Sequence, residues 1–297
     1  MSSLQLFKYS GAGNDFIVLA DGFPEAVSGY DAPALPDGPA SCRSADTIRR
    51  LCDRRTGFRA ADGRIGADGL MILSRLPQAA GAPDFRMEYY NSDGSGGMMC
   101  GNGGRCITAF ADFLGLKPAD GKAFLFEAPD GLHTGEILAR EGRRCTVRLR
   151  MIDAFGLRRV LGGWFMNTGT RHFVRFTGDV EAVDIAKEGA ELRWNQEFAP
   201  EGANVNFVSR LPDGSLKIRT FEKGVEAETL ACGTGITAAA IASWYEGIPP
   251  LRLDGRRAEY LLHACTDSLS VDFIPASGPD VPAATEVYLT GPAERIE

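Results

Sequence analysis

Cys100-Gly101-Asn102-Gly103 and Cys232-Gly233-Thr234-Gly235 repeat one pattern, Cys-Gly-x-Gly, 132 positions apart from 100 to 232. Each follows a run that alternates apolar and polar residues. Phe85–Tyr90 (FRMEYY) leads into Asn91-Ser92-Asp93-Gly94, and Leu216–Phe221 (LKIRTF) leads into Glu222-Lys223-Gly224. Such alternation predicts half-buried strands. Each pattern then opens a predicted helix, over 102–114 and 234–246. Each helix meets a glycine fifteen residues beyond its cysteine, Gly115 and Gly247. A strand, a turn, Cys-Gly-x-Gly and a helix that recur with matched ends predict two similar half-molecules.

Cys145–Met151 (CTVRLRM) and Leu269–Ile274 (LSVDFI) alternate in the same way. Residues 46–55 pattern as a helix, with Asp46 as N-cap, Ile48, Leu51 and Cys52 on one face, and Gly57 just past the end. Many antiparallel strands with few helices predict an α+β fold rather than a doubly wound parallel sheet. Residues 22–41, rich in Pro, Gly, Asp and Ala, read as a surface insertion, and 275–285 as a loop.

Composition narrows the function. The 297 residues are enough for two domains, and 44% hydrophobic with 24% charged is ordinary for a globular protein. A net charge of -7 argues against nucleic acid or an anionic membrane as partner. The cluster Arg49, Arg50, Arg54, Arg55 reads as a solvated helix face. No apolar run has the length of a membrane span and no signal peptide is visible, so the expected compartment is the cytoplasm. Seven cysteines without a CxxC pair predict free thiols and no zinc site. Cys42, Cys52, Cys106, Cys145 and Cys265 lack the repeated context and read as structural, with Cys106 facing the core.

Glycines after each repeated cysteine let the backbone turn tightly with exposed N–H groups at a helix N-terminus, where negative charge is favoured. That setting lowers a thiol's pKa and also holds a carboxylate. Two such units place two sulfurs on opposite faces of one carbon. Inverting a stereocentre beside a carboxylate takes a proton from one face and returns one to the other. A thiolate and a thiol do this without moving. Backbone N–H groups stabilise the carbanionic transition state.

These motifs resemble the diaminopimelate epimerase family over nearly the whole chain. The resemblance is carried by Phe7-Lys8-Tyr9-Ser10-Gly11-Ala12-Gly13-Asn14-Asp15-Phe16, by Arg64-Ile65-Gly66-Ala67-Asp68-Gly69, and by Asn91-Ser92-Asp93-Gly94-Ser95 followed by Met99-Cys100-Gly101-Asn102-Gly103. It continues through Asn204-Val205-Asn206-Phe207, Phe221-Glu222, Leu230-Ala231-Cys232-Gly233-Thr234-Gly235 and Tyr288-Leu289-Thr290-Gly291-Pro292-Ala293. The resemblance implies two pseudo-symmetric domains, each an antiparallel barrel-like sheet around a central helix, with the active site in the cleft between them. It divides the chain into 1–130 with a returning strand 286–297, and 131–285.

The implied reaction interconverts LL- and meso-2,6-diaminopimelate for lysine and peptidoglycan precursor synthesis, without metal or other cofactor, in a homodimer. Cys100 and Cys232 become the acid and base, tuned by His172 and Glu222. Asn14, Asn91, Gly101, Asn102, Thr170, Asn204, Glu222, Lys223, Gly233 and Thr234 become the substrate contacts. The chain departs from the family pattern in three places. Thr170-Arg171-His172 stands where Asn-Pro-His or Ser-Pro-His is usual, and Glu222-Lys223 where Glu-Arg is usual. The segment from Gly224 to Thr229 carries one residue more. Lysine lacks the planar fork with which arginine grips a carboxylate.

His172 alone reads as a satisfied structural histidine, Asn14 and Asn91 as turn residues, and Lys223 as a surface charge. A proline- or hydroxyproline-type racemase is the alternative enzyme. A related isomerase that uses a carboxylate fits less well, because both cysteines are present. A non-catalytic thiol redox protein is the alternative of another class, and it calls for clustered cysteines.

Overall fold

The computed structural model of the chain describes residues 5–23, 30–31, 38–77, 81–97, 99–276, 278 and 281–296. Most of the 22–41 insertion and part of the 275–285 loop lie outside the described residues. The chain divides into two compact units, Met1–Leu149 with Pro292–Glu297, and Arg150–Gly291.

The first unit contains β1 (Gln5–Gly11), β2 (Asn14–Asp21), β3 (Tyr30–Asp31), α1 (Ala45–Cys52), β4 (Gly69–Arg75), β5 (Phe85–Asn91), α2 (Gly101–Phe113), β6 (Phe124–Ala128), β7 (Gly131–Glu141) and β8 (Arg144–Arg150). The second contains β9 (Phe155–Val160), β10 (Gly163–Asn167), β11 (Arg171–Phe176), α3 (Ala190–Arg193), β12 (Asn204–Arg210), β13 (Leu216–Glu222), β14 (Ala227–Thr229), α4 (Gly233–Tyr245), β15 (Arg252–Asp254), β16 (Arg257–His263) and β17 (Ser268–Pro275). The closing strand, β18 (Ala284–Ile296), runs from the second unit into the first.

Strand pairing repeats between the units. In the first, β1 pairs antiparallel with β2, β2 parallel with β4, β4 antiparallel with β5, β5 parallel with β6, β6 antiparallel with β7, and β7 antiparallel with β8. In the second, the same sequence of directions runs β10, β11, β12, β13, β16, β17, β18. The C-terminal end of β18 pairs with β1 in the first unit, and β9 pairs with β10 in the second. Each sheet curls into a barrel around one helix, α2 or α4.

Most of these pairings are antiparallel, as expected, and each unit adds two parallel ones, β2–β4 and β5–β6 in the first and β11–β12 and β13–β16 in the second. The reason lies in the connections. Parallel neighbours need a long crossover, which a helix supplies. Helices α1 and α2 bridge β2 to β4 and β5 to β6. Helical segments within 180–198 bridge β11 to β12, and α4 bridges β13 to β16.

Strands β5, β8, β13 and β17 fall where the alternating runs predict them, each extended by a residue or two or shifted by one. Helix α4 is apolar on all sides, as a helix enclosed by a sheet must be. Ile236, Ala238, Ala239, Ala240, Ile241 and Ala242 are all buried. Burying each isoleucine contributes about 1.5–3 kcal/mol. Both central helices end alike. Gly115 and Gly247 each take φ near +80°, a region open to glycine. Leu116 N–H reaches Ala111 O and Ile248 N–H reaches Ser243 O, the six-residue closure of a Schellman motif.

Four local expectations are corrected. Ser44, not Asp46, caps α1, its Oγ accepting the Thr47 N–H at 3.2 Å. The helix stops at Cys52 because the Asp53 carboxylate takes the Arg55 and Thr56 N–H groups at 2.8 and 2.7 Å. The boundary between units falls after Leu149, not after residue 130. Residues 129–130 are only the turn of the β6–β7 hairpin, and β7 goes on to pair with β8. The returning segment begins at Pro292, since residues 284–290 pair with β17.

Candidate active site

Cys100 and Cys232 occupy equivalent places in their units. Each is the N-cap of its central helix, with extended backbone, φ −101° and ψ 133° for Cys100 and φ −114° and ψ 108° for Cys232. Neither side chain caps its own helix. The N–H groups of the first turn, on Gly101-Asn102 and Gly233-Thr234, thus start beside each sulfur. Both cysteines are half-buried. The remaining cysteines differ. Burial pushes the thiols of Cys42 to about 11 and of Cys52 and Cys106 to about 12. Desolvation also raises Cys145 and Cys265. Such thiols hold their protons and are poor nucleophiles.

In the second unit a hydrogen-bonded network leads to Cys232. Its root is Asn206, wholly buried on β12. Asn206 Oδ1 accepts from Thr220 Oγ1 at 3.0 Å, and Nδ2 donates to Phe173 O at 3.1 Å. Those partners fix the amide's orientation, so its second contact, Nδ2 to His172 Nδ1 at 3.1 Å, makes Nδ1 an acceptor. The proton of His172 then sits on Nε2. Burial, which pushes this imidazole from 6.5 down to about 3, independently keeps it neutral. Nε2 lies 2.9 Å from both Thr170 Oγ1 and Thr234 Oγ1. Thr234 Oγ1 lies 3.4 Å from Cys232 Sγ. The route from His172 to Cys232 therefore runs through the Thr234 hydroxyl. Gly235 permits this packing, because a Cβ there would stand 2.4 Å from Asn206 Oδ1.

Asn204, two residues before Asn206, donates to Thr170 Oγ1 at 3.2 Å and to Arg171 O at 3.0 Å. It accepts the Lys223 N–H at 2.8 Å. That bond ties β12 to the turn that carries Glu222 and Lys223. Burial raises the Glu222 carboxyl above its ordinary pKa. Lys223 is exposed, and its ammonium has no partner among the described residues. Arg171, where proline is usual, pairs with Glu201 at 2.9 Å. The structure thus brings Thr170, His172, Asn204, Thr234 and Cys232 together, with the Glu222–Lys223 turn held to them through Asn204.

In the first unit the first turn of α2 carries a different network. Asn102 Nδ2 donates to Asn14 Oδ1 at 2.6 Å, and Asn14 Nδ2 to Asp68 Oδ2 at 3.0 Å. Arg105, fully buried, donates to Asn102 Oδ1 at 2.9 Å, to Gly101 O at 3.2 Å and to Pro292 O at 3.2 Å. Arg54 pairs with Asp15 at 2.6 Å and with Asp68. Its side chain stays half-exposed, as the sequence suggests, but its charge is paired and it lies beyond the end of α1. Asn91 stands apart, its Nδ2 donating to Ser95 Oγ at 3.0 Å within its own turn.

Asn206, Asp68, Arg105 and Arg54 escaped the sequence reading. Asn206 and Asp68 do lie inside quoted motifs. Arg105 is a charge set among small and apolar residues in the first half of α2, which is a signal of its own.

The model of the family described as diaminopimelate epimerase matches residues 6–151 and 164–253. A diaminopimelate epimerase of Chlorobaculum tepidum is 36% identical over 295 residues, covering 97% of each chain. Its counterpart in Aquifex aeolicus is 35% identical over 92% of this chain and 94% of its own. Among solved structures, a hydroxyproline epimerase from Agrobacterium vitis aligns over 99% of this chain and 92% of its own with TM-score 0.62, but at 17% identity it shares the fold alone. With the family matched across both units and the repeated cysteines heading equivalent helices, the chain belongs to the diaminopimelate epimerase family.

Proposed function

We propose that this protein interconverts LL- and meso-2,6-diaminopimelate, with Cys100 and Cys232 exchanging protons at the α-carbon. The observation that carries the reading is that both cysteines head equivalent helices, each at the first turn of its helix. One sulfur acts as thiolate and takes the α-proton. The other acts as thiol and delivers a proton to the opposite face, and the roles exchange in reverse. The N–H groups of Gly101-Asn102 and Gly233-Thr234 bind the reacting carboxylate and take up charge as the carbanion forms.

A hydrogen bond from Thr234 to Cys232 favours the thiolate, and His172, by donating to Thr234, turns that hydroxyl toward the sulfur. Glu222, Lys223, Asn204, Thr170, Asn14 and Asn91 provide the polar contacts for the rest of the substrate. No metal or organic cofactor enters the scheme. We place the enzyme as a cytoplasmic homodimer supplying lysine and peptidoglycan precursors. The test is to incubate the purified, chelator-treated protein with LL-diaminopimelate and follow the meso isomer by chiral chromatography. Meso product is expected. Inversion of proline but not of diaminopimelate would transfer the assignment to the racemases that share the fold.

Diaminopimelate carries a second amino-acid centre, which needs its own charged partners. Lys223→Ala and Glu222→Ala each remove one charged contact, worth about 1.5–3 kcal/mol. KM for diaminopimelate should rise roughly 10- to 100-fold for each. Titration with a monoamino-acid inhibitor should show little change. Equal losses for both ligands would remove these residues from the distal contact.

A further inference from the structure

Two of the first unit's proposed substrate contacts, Asn14 and Asn102, are asparagines joined by a hydrogen bond. Each presents a donor and an acceptor of similar size, so either could face the ligand unless something fixes it. Here both ends of their hydrogen-bonded chain are groups of one sense. Arg105 can only donate, and it donates to Asn102 Oδ1 at 2.9 Å. Asp68, when ionised, can only accept, and its Oδ2 accepts from Asn14 Nδ2 at 3.0 Å and from the Asp15 N–H at 3.1 Å. Between them Asn102 Nδ2 donates to Asn14 Oδ1 at 2.6 Å. Every link therefore points from Arg105 toward Asp68, and reversing either amide would set donor against donor or acceptor against acceptor.

The two ends are themselves anchored. Arg105 is wholly buried and also bonded to Gly101 O and Pro292 O, so the returning C-terminal strand steadies it. Arg54 binds Asp68 Oδ1 and holds Asp15 at 2.6 Å. The bonds join positions 54 and 88 residues apart, so only the folded unit assembles them.

We propose that Arg105 and Asp68 are positioning residues of the first half-site, opposite poles of a one-way chain that locks Asn102 and Asn14 into a single orientation. Asn14's second N–H takes no partner among the described residues. The lock therefore turns an ambivalent amide into a dedicated donor toward a carboxylate or the charge that develops beside it. The same chain pins the Asn102 side chain in the first turn of α2, directly after Cys100. This inference rests on the proposed function only for the identity of the ligand.

The test compares Arg105→Met, Arg105→Lys, Asp68→Ala and the Arg105→Met/Asp68→Ala double variant in the full-length enzyme. Misplacing a binding group by about an ångström costs up to about 100-fold. We expect kcat/KM for diaminopimelate to fall about 10- to 100-fold in each apolar variant. The double variant should lose little more than the worse single, because both break one chain. Arg105→Lys, which keeps a donor-only end, should recover part of the loss. Near wild-type kcat/KM in folded Asp68→Ala, or losses that multiply, would overturn the proposal. A second measurement stands apart from activity: hydrogen exchange of the Asn14 and Asn102 side-chain amides by nitrogen-15 NMR. Slow exchange in the wild type and fast exchange in Asp68→Ala supports the lock even if diaminopimelate is not the substrate. Equal rates would refute it.

Discussion

Cys100→Ala and Cys232→Ala should each reduce epimerisation by at least about 10³-fold while leaving the protein folded. A positioned proton donor or acceptor is worth roughly 10²–10⁴-fold. Neither sulfur can stand in for the other, because each serves one face of the carbon. Folding should survive because neither cysteine caps its helix through its side chain, and both have the extended backbone that alanine adopts readily. The check is turnover by chiral chromatography alongside a thermal melt. A single variant with near wild-type conversion would end the two-base scheme. A variant that fails to fold would show that the cysteine is structural.

The second large effect is on stability toward acid. His172 is buried and neutral, with its pKa depressed from 6.5 to about 3. In the unfolded chain it titrates near its ordinary value. Between those two limits the unfolded state therefore binds a proton that the folded state refuses, and stability rises with pH. The contribution is complete above 6.5, is lost as pH falls, and is gone below about 3. Its slope is about 1.4 kcal/mol per pH unit across that window. Urea unfolding of wild type and His172→Gln at pH 7, 6, 5 and 4 should diverge by about that slope, with the wild type the more acid-sensitive. Parallel curves would mean that His172 titrates normally in the folded protein.

Much of the architecture was legible because it is local. The alternating runs named strands β5, β8, β13 and β17, and the repeated Cys-Gly-x-Gly with its glycine fifteen residues on named both central helices. What stayed hidden depends on residues that meet only after folding. Parallel pairing of β2 with β4 or β13 with β16 leaves no local trace, since alternation reports which face is buried and not which neighbour lies alongside. Ser44 took the cap from Asp46 because hydroxyl and carboxylate are both good caps, and sequence alone did not rank them two residues apart.

At the site, the cysteines and their flanking backbone were visible in the motif. The Thr234 hydroxyl as the link between His172 and Cys232 was not, because it joins β11 to α4 across 62 positions. Arg54 shows the same limit from another side. Among four nearby arginines it looked solvated, yet it holds Asp15 and Asp68 together.

The most direct test of the account is where solvent deuterium goes in a single turnover. LL-diaminopimelate is incubated with the wild-type enzyme in deuterated water, and both isomers are examined by mass spectrometry at low conversion. Two separate thiols predict meso product carrying one deuterium at the inverted carbon, and recovered LL substrate carrying almost none, because the thiol that delivers the new proton has exchanged with solvent and is not the one that took the old proton. A single base serving both faces would instead return the substrate's own hydrogen to the meso product or label both isomers alike. Either result would contradict the assignment of Cys100 and Cys232 as the paired acid and base.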